Sequence, residues 1–149
     1  MNIQELYQSI DGDYDQAIRV LRVEKLVDKH IRRFVDNDVV DGLLAAGSSM
    51  DSTDLFEAAH AVKGVAANLG LTKLSDVASE ITEDFRPGNE RKLSDEDVKQ
   101  RIETIRELHE QIVYKIRKYI ELSESIFGVK HIQLGGRIGE VIKRRRYLV

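Results

Sequence analysis

The chain has 149 residues, 42% apolar and 33% charged, with a formal net charge of −3, one proline and no cysteine. That length supports one domain with its own core, the composition excludes a disordered chain, and the missing cysteines exclude disulfide scaffolds and cysteine-based zinc sites. No apolar run approaches the roughly 18 residues of a membrane span, so a cytoplasmic protein is expected.

The N-terminus, Met1-Asn2-Ile3-Gln4-Glu5, has neither the basic region nor the apolar core of a signal peptide. Helical periodicity then runs through almost every segment, and no stretch alternates apolar and polar residues as a half-buried strand does. A short helix is predicted over Ile3–Ile10, with Asp11-Gly12-Asp13 as its turn, and a second over Tyr14–Leu21. A long helix should follow from Glu24 to Ala46, with Val27, Ile31, Phe34 and Val35 facing inward and Gly47 as a left-handed C-cap. Asp51 or Ser52 can cap the next helix, Thr53–Leu69, which ends before Gly70. Thr72 can cap its neighbour, whose stripe is Leu74, Val77, Ala78, Ile81 and Phe85. That helix stops at Arg86-Pro87-Gly88-Asn89. Ser94 and Asp97 have capping-box spacing and open the last helix, with Val98, Ile102, Ile105, Ile112, Ile116 and Tyr119 at three- and four-residue steps.

Long amphipathic helices joined by short loops pack best as an antiparallel up-and-down four-helix bundle, here with the short N-terminal helices covering one end. The expected fold is all-α. The bundle should occupy residues 1–121, and residues 122–149 form a basic extension broken at Gly128 and Gly135-Gly136. Residues 129–149 carry Lys130, Arg137, Lys143, Arg144, Arg145 and Arg146 against Glu140, a net of +5, which leaves −8 on the rest. This tail reads as a solvated terminus, or as a contact for an acidic partner, an anionic membrane or nucleic acid. The lack of interleaved aromatics argues against nucleic acid.

On a wheel of about 100° per residue, Leu55, Ala58, Val62, Val65, Ala66 and Leu69 of the Thr53–Leu69 helix cluster on one side. His60 lies opposite, so it points outward, with Thr53, Phe56, Glu57, Lys63, Gly64 and Ala67 around it. Lys63, one turn on, brings a cation within reach of an anion held on the imidazole. Glycine inside a helix costs about 1 kcal/mol relative to alanine. At Gly64 the compensation is access, since neither Gly64 nor the methyl of Ala67 obstructs a bulky partner. Phe56, with Glu57 and Ala67, suits a protein-docking surface. A neutral imidazole is a competent nucleophile for phosphorus near pH 7. Phosphoryl transfer asks for in-line positioning and charge neutralisation rather than elaborate covalent machinery. No carboxylates have convincing spacing for magnesium, so no cofactor or metal of its own is expected.

The run Ala59-His60-Ala61-Val62-Lys63-Gly64-Val65-Ala66-Ala67-Asn68-Leu69-Gly70 resembles the signature of histidine-containing phosphotransfer (HPt) domains: a histidine, Lys-Gly at the third and fourth positions after it, then Asn-Leu-Gly. Tyr7, Gly12-Asp13-Tyr14, Phe34 and Asp36 resemble the helices before the motif, and Leu74, Thr82-Glu83 and Arg86 the segment after it. The resemblance covers roughly residues 1–121. Val62 stands where leucine is commoner, and residues 122–149 have no counterpart. The resemblance implies a four-helix bundle, with His60 as phosphoryl acceptor, Lys63 as phosphate-side cation and Gly64 as the space-making position. It also implies a free-standing phosphocarrier rather than an enzyme, with a response-regulator receiver domain and a sensor histidine kinase as partners and magnesium on the receiver. A competing reading is a helical adaptor that keeps this fold without passing phosphate, though an adaptor has no need of an outward His60 beside Lys63.

His109 falls on the apolar stripe of the last helix and reads as a half-buried structural residue, as does His30 on its own helix. His131 lies in the tail. No two histidines have the i, i+4 spacing of a helical zinc site. Gly42–Ser49 imitates a phosphate-binding loop but lacks its lysine and a preceding strand, and Gly135–Gly139 also lacks the strand.

Overall fold

A computed structural model describes the backbone of residues 1–135 and the side chains of residues 1–124. Among the described residues there are seven α-helices and no strand: α1 (Ile3–Ser9), α2 (Tyr14–Leu21), α3 (Glu24–Phe34), α4 (Val39–Ser49), α5 (Ser52–Asn68), α6 (Thr72–Phe85) and α7 (Asp95–Gly135). No described helix is long and apolar enough to cross a membrane.

Local chemistry starts most of these helices. Asn2 and Glu5 form a reciprocal capping box on α1, both bonds 2.8 Å. Asp13 accepts from the Gln16 amide at 3.0 Å to open α2, and Asp51 accepts from Asp54 at 3.1 Å to open α5. Ser94 accepts from Asp97 at 3.0 Å, the cap expected for α7. Thr72 does not cap α6: Leu71 holds that position without a side-chain bond, and Thr72 is the first helical residue.

The predicted Glu24–Ala46 helix is two helices. After Phe34 the backbone tightens into i to i−3 bonds (Val35 to Arg32, Asp36 to Arg33, Asn37 to Phe34), and the Asn37 carboxamide oxygen accepts from the Val39 amide at 2.8 Å. Asp36-Asn37-Asp38 supplies three side chains that compete with the helical ladder, so the chain breaks there and restarts. Val35 is consequently only half-buried. Gly47 is not a C-cap either. α4 runs on through Ser49, and Met50 is the left-handed residue, with φ 58°. A Cβ at Gly47 would stand 2.8 Å from Ile102 Cδ1. The glycine therefore serves the close approach of α4 to α7.

α4, α5, α6 and α7 pack successively, and α7 returns against α4 to close the bundle, with α3 extending the first arm beside α7. Short connections from α4 to α5 and α5 to α6, and a connection over residues 86–94 that folds back from α6 to α7, make successive arms antiparallel. Phe34, Ile31, Leu43, Leu55, Leu74, Ile81, Ile105 and Ile116 are fully buried at its centre, each side chain contributing roughly 1.5–3 kcal/mol. The whole expected stripe of α7, from Val98 to Tyr119, is buried. Beyond it the helical backbone continues past Gly128 to Gly135, so the expected break at Gly128 does not occur. Glycine weakens a helix by about 1 kcal/mol without necessarily ending it. The side chain of His131 and the Lys143–Arg146 cluster lie outside the described residues.

The N-terminal helices clasp the end of α5. The Tyr7 hydroxyl donates to the Leu69 carbonyl at 2.7 Å, and the Asp13 amide donates to the Gly70 carbonyl at 2.7 Å. Burial pushes the Tyr7 phenol well above its ordinary pKa, so it remains a donor at all working pH values. At the other end of α6, buried Asp84 accepts from the Lys92 and Leu93 amides at 2.7 and 3.1 Å and so folds the α6–α7 connection back on itself. The Asn89 side chain donates to the Glu83 carbonyl at 2.8 Å in the same connection. These bonds fix the two ends of the α5–α6 hairpin that carries the site.

Candidate functional site

α5 presents His60 to solvent, as its wheel requires. Leu55, Ala59, Val62 and Ala66 are fully buried beneath it. Ala58 and Val65, expected in the core, are half-buried at its border. The buried arc is thus turned by roughly 40° toward Ala59 compared with the sequence wheel. Hydrophobicity ranks Val65 above Ala59, whereas packing favours the small side chains that let neighbouring helices approach. The rotation leaves His60 exposed.

The other predicted residues lie close by. Lys63 is half-buried one turn on, and Glu57 is exposed. A Cβ built on Gly64 would meet nothing within 4 Å, so this flank of His60 is open space. Ala67 is half-buried further along the same face. Phe56 is half-buried rather than fully outward, and its ring stacks on the His60 imidazole with 5.8 Å between centroids and 8° between planes.

Glu83 of α6 and Arg86, the C-cap of that helix, complete the surface, and the wheel of α5 could not have found them. Arg86 places its guanidinium carbon 5.4 Å from the centre of the Phe56 ring. Glu83 holds Arg86 through Nη2 at 2.7 Å and Nε at 3.0 Å. The hydrogen bond from Arg86 keeps the Glu83 carboxyl below the usual carboxylate range, and the charges of Arg86, Lys63 and His60 act in the same direction. Glu83 therefore shares an electrostatic neighbourhood with both predicted site residues. The resemblance had marked Glu83 and Arg86 without giving either a role; their position one turn apart at the C-terminal end of α6 was the available signal. Among the described residues, no group of three or more histidine, aspartate or glutamate side chains is placed to hold a metal ion.

The remaining histidines sit in different surroundings. His30 is half-buried beside a surface hollow lined also by Leu21, Phe34, Val65 and Leu69. His109 is half-buried, edge-on to Phe34 at 5.6 Å, with its Nε2 buried and without a hydrogen-bond partner among the described residues. Burial lowers its pKa, with Asp41 and Glu110 opposing the shift. The folded state therefore binds the proton less readily than the unfolded chain. Its contribution is complete above the unfolded pKa of about 6.5 and is lost as pH falls below that value. His109→Gln is expected to destabilise the bundle at pH 7.5 and to narrow its deficit against wild type by pH 5, as thermal melts across that range would show. Parallel pH profiles for the two proteins would contradict this.

A family model described as Hpt domain matches residues 23–114, well over half of the chain. The matched span runs from the start of α3 into α7 and includes His60, Lys63, Gly64, Glu83 and Arg86; it is narrower at both ends than the resemblance read from the sequence. No curated protein matches the chain, and no solved structure does. On the extent of the family match and the helical bundle that accompanies it, this chain belongs to the Hpt domain family, the phosphocarrier modules of phosphorelay signalling.

Proposed function

We propose that this protein is a cytoplasmic phosphorelay carrier that takes a phosphoryl group on His60 and exchanges it with an aspartate of a response-regulator receiver domain, within a pathway fed by a sensor histidine kinase. The observation that carries the reading is the exposed His60 with a cationic side chain one turn on, at Lys63, and empty space over Gly64. In transfer from the receiver, the imidazole lone pair attacks phosphorus, the N–P bond forms, the P–O bond breaks, and the aspartate leaves as a carboxylate. Lys63 offsets charge on the phosphoryl oxygens. Magnesium belongs to the receiver domain in this scheme, and the carrier contributes nucleophile, cation and access.

The test is incubation with phosphorylated receiver domains of the same organism, followed by assay for acid-labile, base-stable label on this chain. Label supports the carrier, and its consistent absence favours the adaptor. Gly64→Gln sharpens the test. The substitution improves helix propensity, and the new Cβ meets nothing within 4 Å, so helicity and melting should be preserved or slightly raised. A side chain over the reacting face should nevertheless lower transfer about tenfold or more, because small displacements from in-line geometry are costly. Normal transfer by this variant would remove the access argument.

A further inference from the structure

Phe56 faces outward on the wheel of α5, the position of a docking residue, yet its surroundings are those of a clamp. Its ring lies nearly parallel to the His60 imidazole, at 8° and 5.8 Å between centroids. The Arg86 guanidinium carbon stands 5.4 Å from the ring centre. Arg86 is fixed in turn by Glu83, which takes bonds of 2.7 and 3.0 Å from it, while Asn89 ties the Glu83 carbonyl to the α6–α7 connection at 2.8 Å. An unbroken series of contacts thus leads from the imidazole on α5 to a charge pair at the C-terminal end of α6.

We propose that Phe56 is a positioning residue for the His60 imidazole, held in place by the Glu83–Arg86 pair, so that the ring plane is set before a partner arrives. The proposal rests on His60 being the phosphoryl acceptor. The second side-chain torsion of histidine is broad and two-fold, and an exposed ring crosses between orientations within picoseconds to nanoseconds. In-line attack uses only the orientations that aim the nitrogen lone pair at phosphorus. A parallel, offset aromatic neighbour favours one plane, and a guanidinium over that neighbour restrains it in turn. Both effects act from behind the imidazole, away from the open Gly64 flank. An aliphatic side chain of similar bulk would fill the space without supplying a face to stack on.

The experiment compares Phe56→Leu, Phe56→Tyr and Arg86→Gln in the full chain, with two readouts. The first is the His60 imidazole itself, by ring-proton chemical shift and carbon relaxation in the unphosphorylated protein. The second is the transfer rate as a function of receiver concentration. Phe56→Leu should lose the ring-current shift, increase ring mobility and lower the saturated rate about tenfold, with the half-saturating concentration unchanged. Phe56→Tyr should restore all three, and Arg86→Gln should loosen the ring by a smaller amount. An equally rigid imidazole in Phe56→Leu would overturn the proposal, as would a loss expressed only as a higher half-saturating concentration, which is the signature of docking. Failure of the carrier reading shows differently, as wild-type protein that takes no label while the ring measurements still decide the question of positioning.

Discussion

Gly70→Ala should cost the bundle roughly 3 kcal/mol, the sum of a left-handed backbone penalty and an overpacking penalty. Gly70 has φ +69°, and a Cβ there would stand 2.1 Å from the Asp13 carbonyl oxygen. That oxygen cannot retreat freely, because it accepts the Ala17 amide at 3.2 Å in the first turn of α2. The Asp13 amide meanwhile donates to the Gly70 carbonyl at 2.7 Å, so the two segments are locked from both sides. Relief requires α2 to lift away from the end of α5, which would strain the Tyr7–Leu69 bond as well. For a domain of this size the melting temperature should fall by roughly 10 °C. Because His60 lies well over two turns from the clasp, the variant should still accept label at temperatures where it is folded. A loss below about 1 kcal/mol would show that the N-terminal helices yield without cost.

The parts of the fold legible in the sequence are those governed by one helix at a time. The α7 stripe from Val98 to Tyr119 is legible because its apolar residues sit at helical steps and meet a continuous core. The starts of α2, α5 and α7 lie within a residue of their predicted places, since caps are local chemistry, and α3 starts where predicted without a side-chain cap. The break between α3 and α4 is hidden in the sequence because apolar residues on both sides mask it. Val35 and Val39 keep a helical step across it, so Asp36-Asn37-Asp38 is the only local signal of the break. Gly47 illustrates a different limit. A glycine that ends a helix and a glycine that admits Ile102 look the same until α7 is in place.

The candidate site divides along the same line. The exposure of His60 and the open flank at Gly64 follow from the wheel of α5 alone. The Arg86–Phe56 contact joins α5 to the end of α6 across the hairpin, and no periodicity within one helix contains it, whereas the i, i+3 spacing of Glu83 and Arg86 lies within a single turn of sequence. The orphaned Nε2 of His109 is likewise a product of packing, created where α7 meets Phe34.

Whether His60 alone carries the phosphoryl group is decided by mapping the label in wild-type and His60→Gln protein with one competent phospho-donor. Glutamine retains a polar side chain on the exposed face but removes the nucleophile, so helicity and thermal unfolding should change little. Stable label should fall to background, the largest functional effect expected of any substitution here, since covalent acceptance has no substitute when the nucleophile is gone. His109→Gln, with its substitution inside the packed bundle, should retain label despite lower stability. One labelled peptide, containing His60, is expected in the wild type and none in His60→Gln; label that persists in His60→Gln, or maps to another residue in the wild type, would place the phosphoryl group elsewhere.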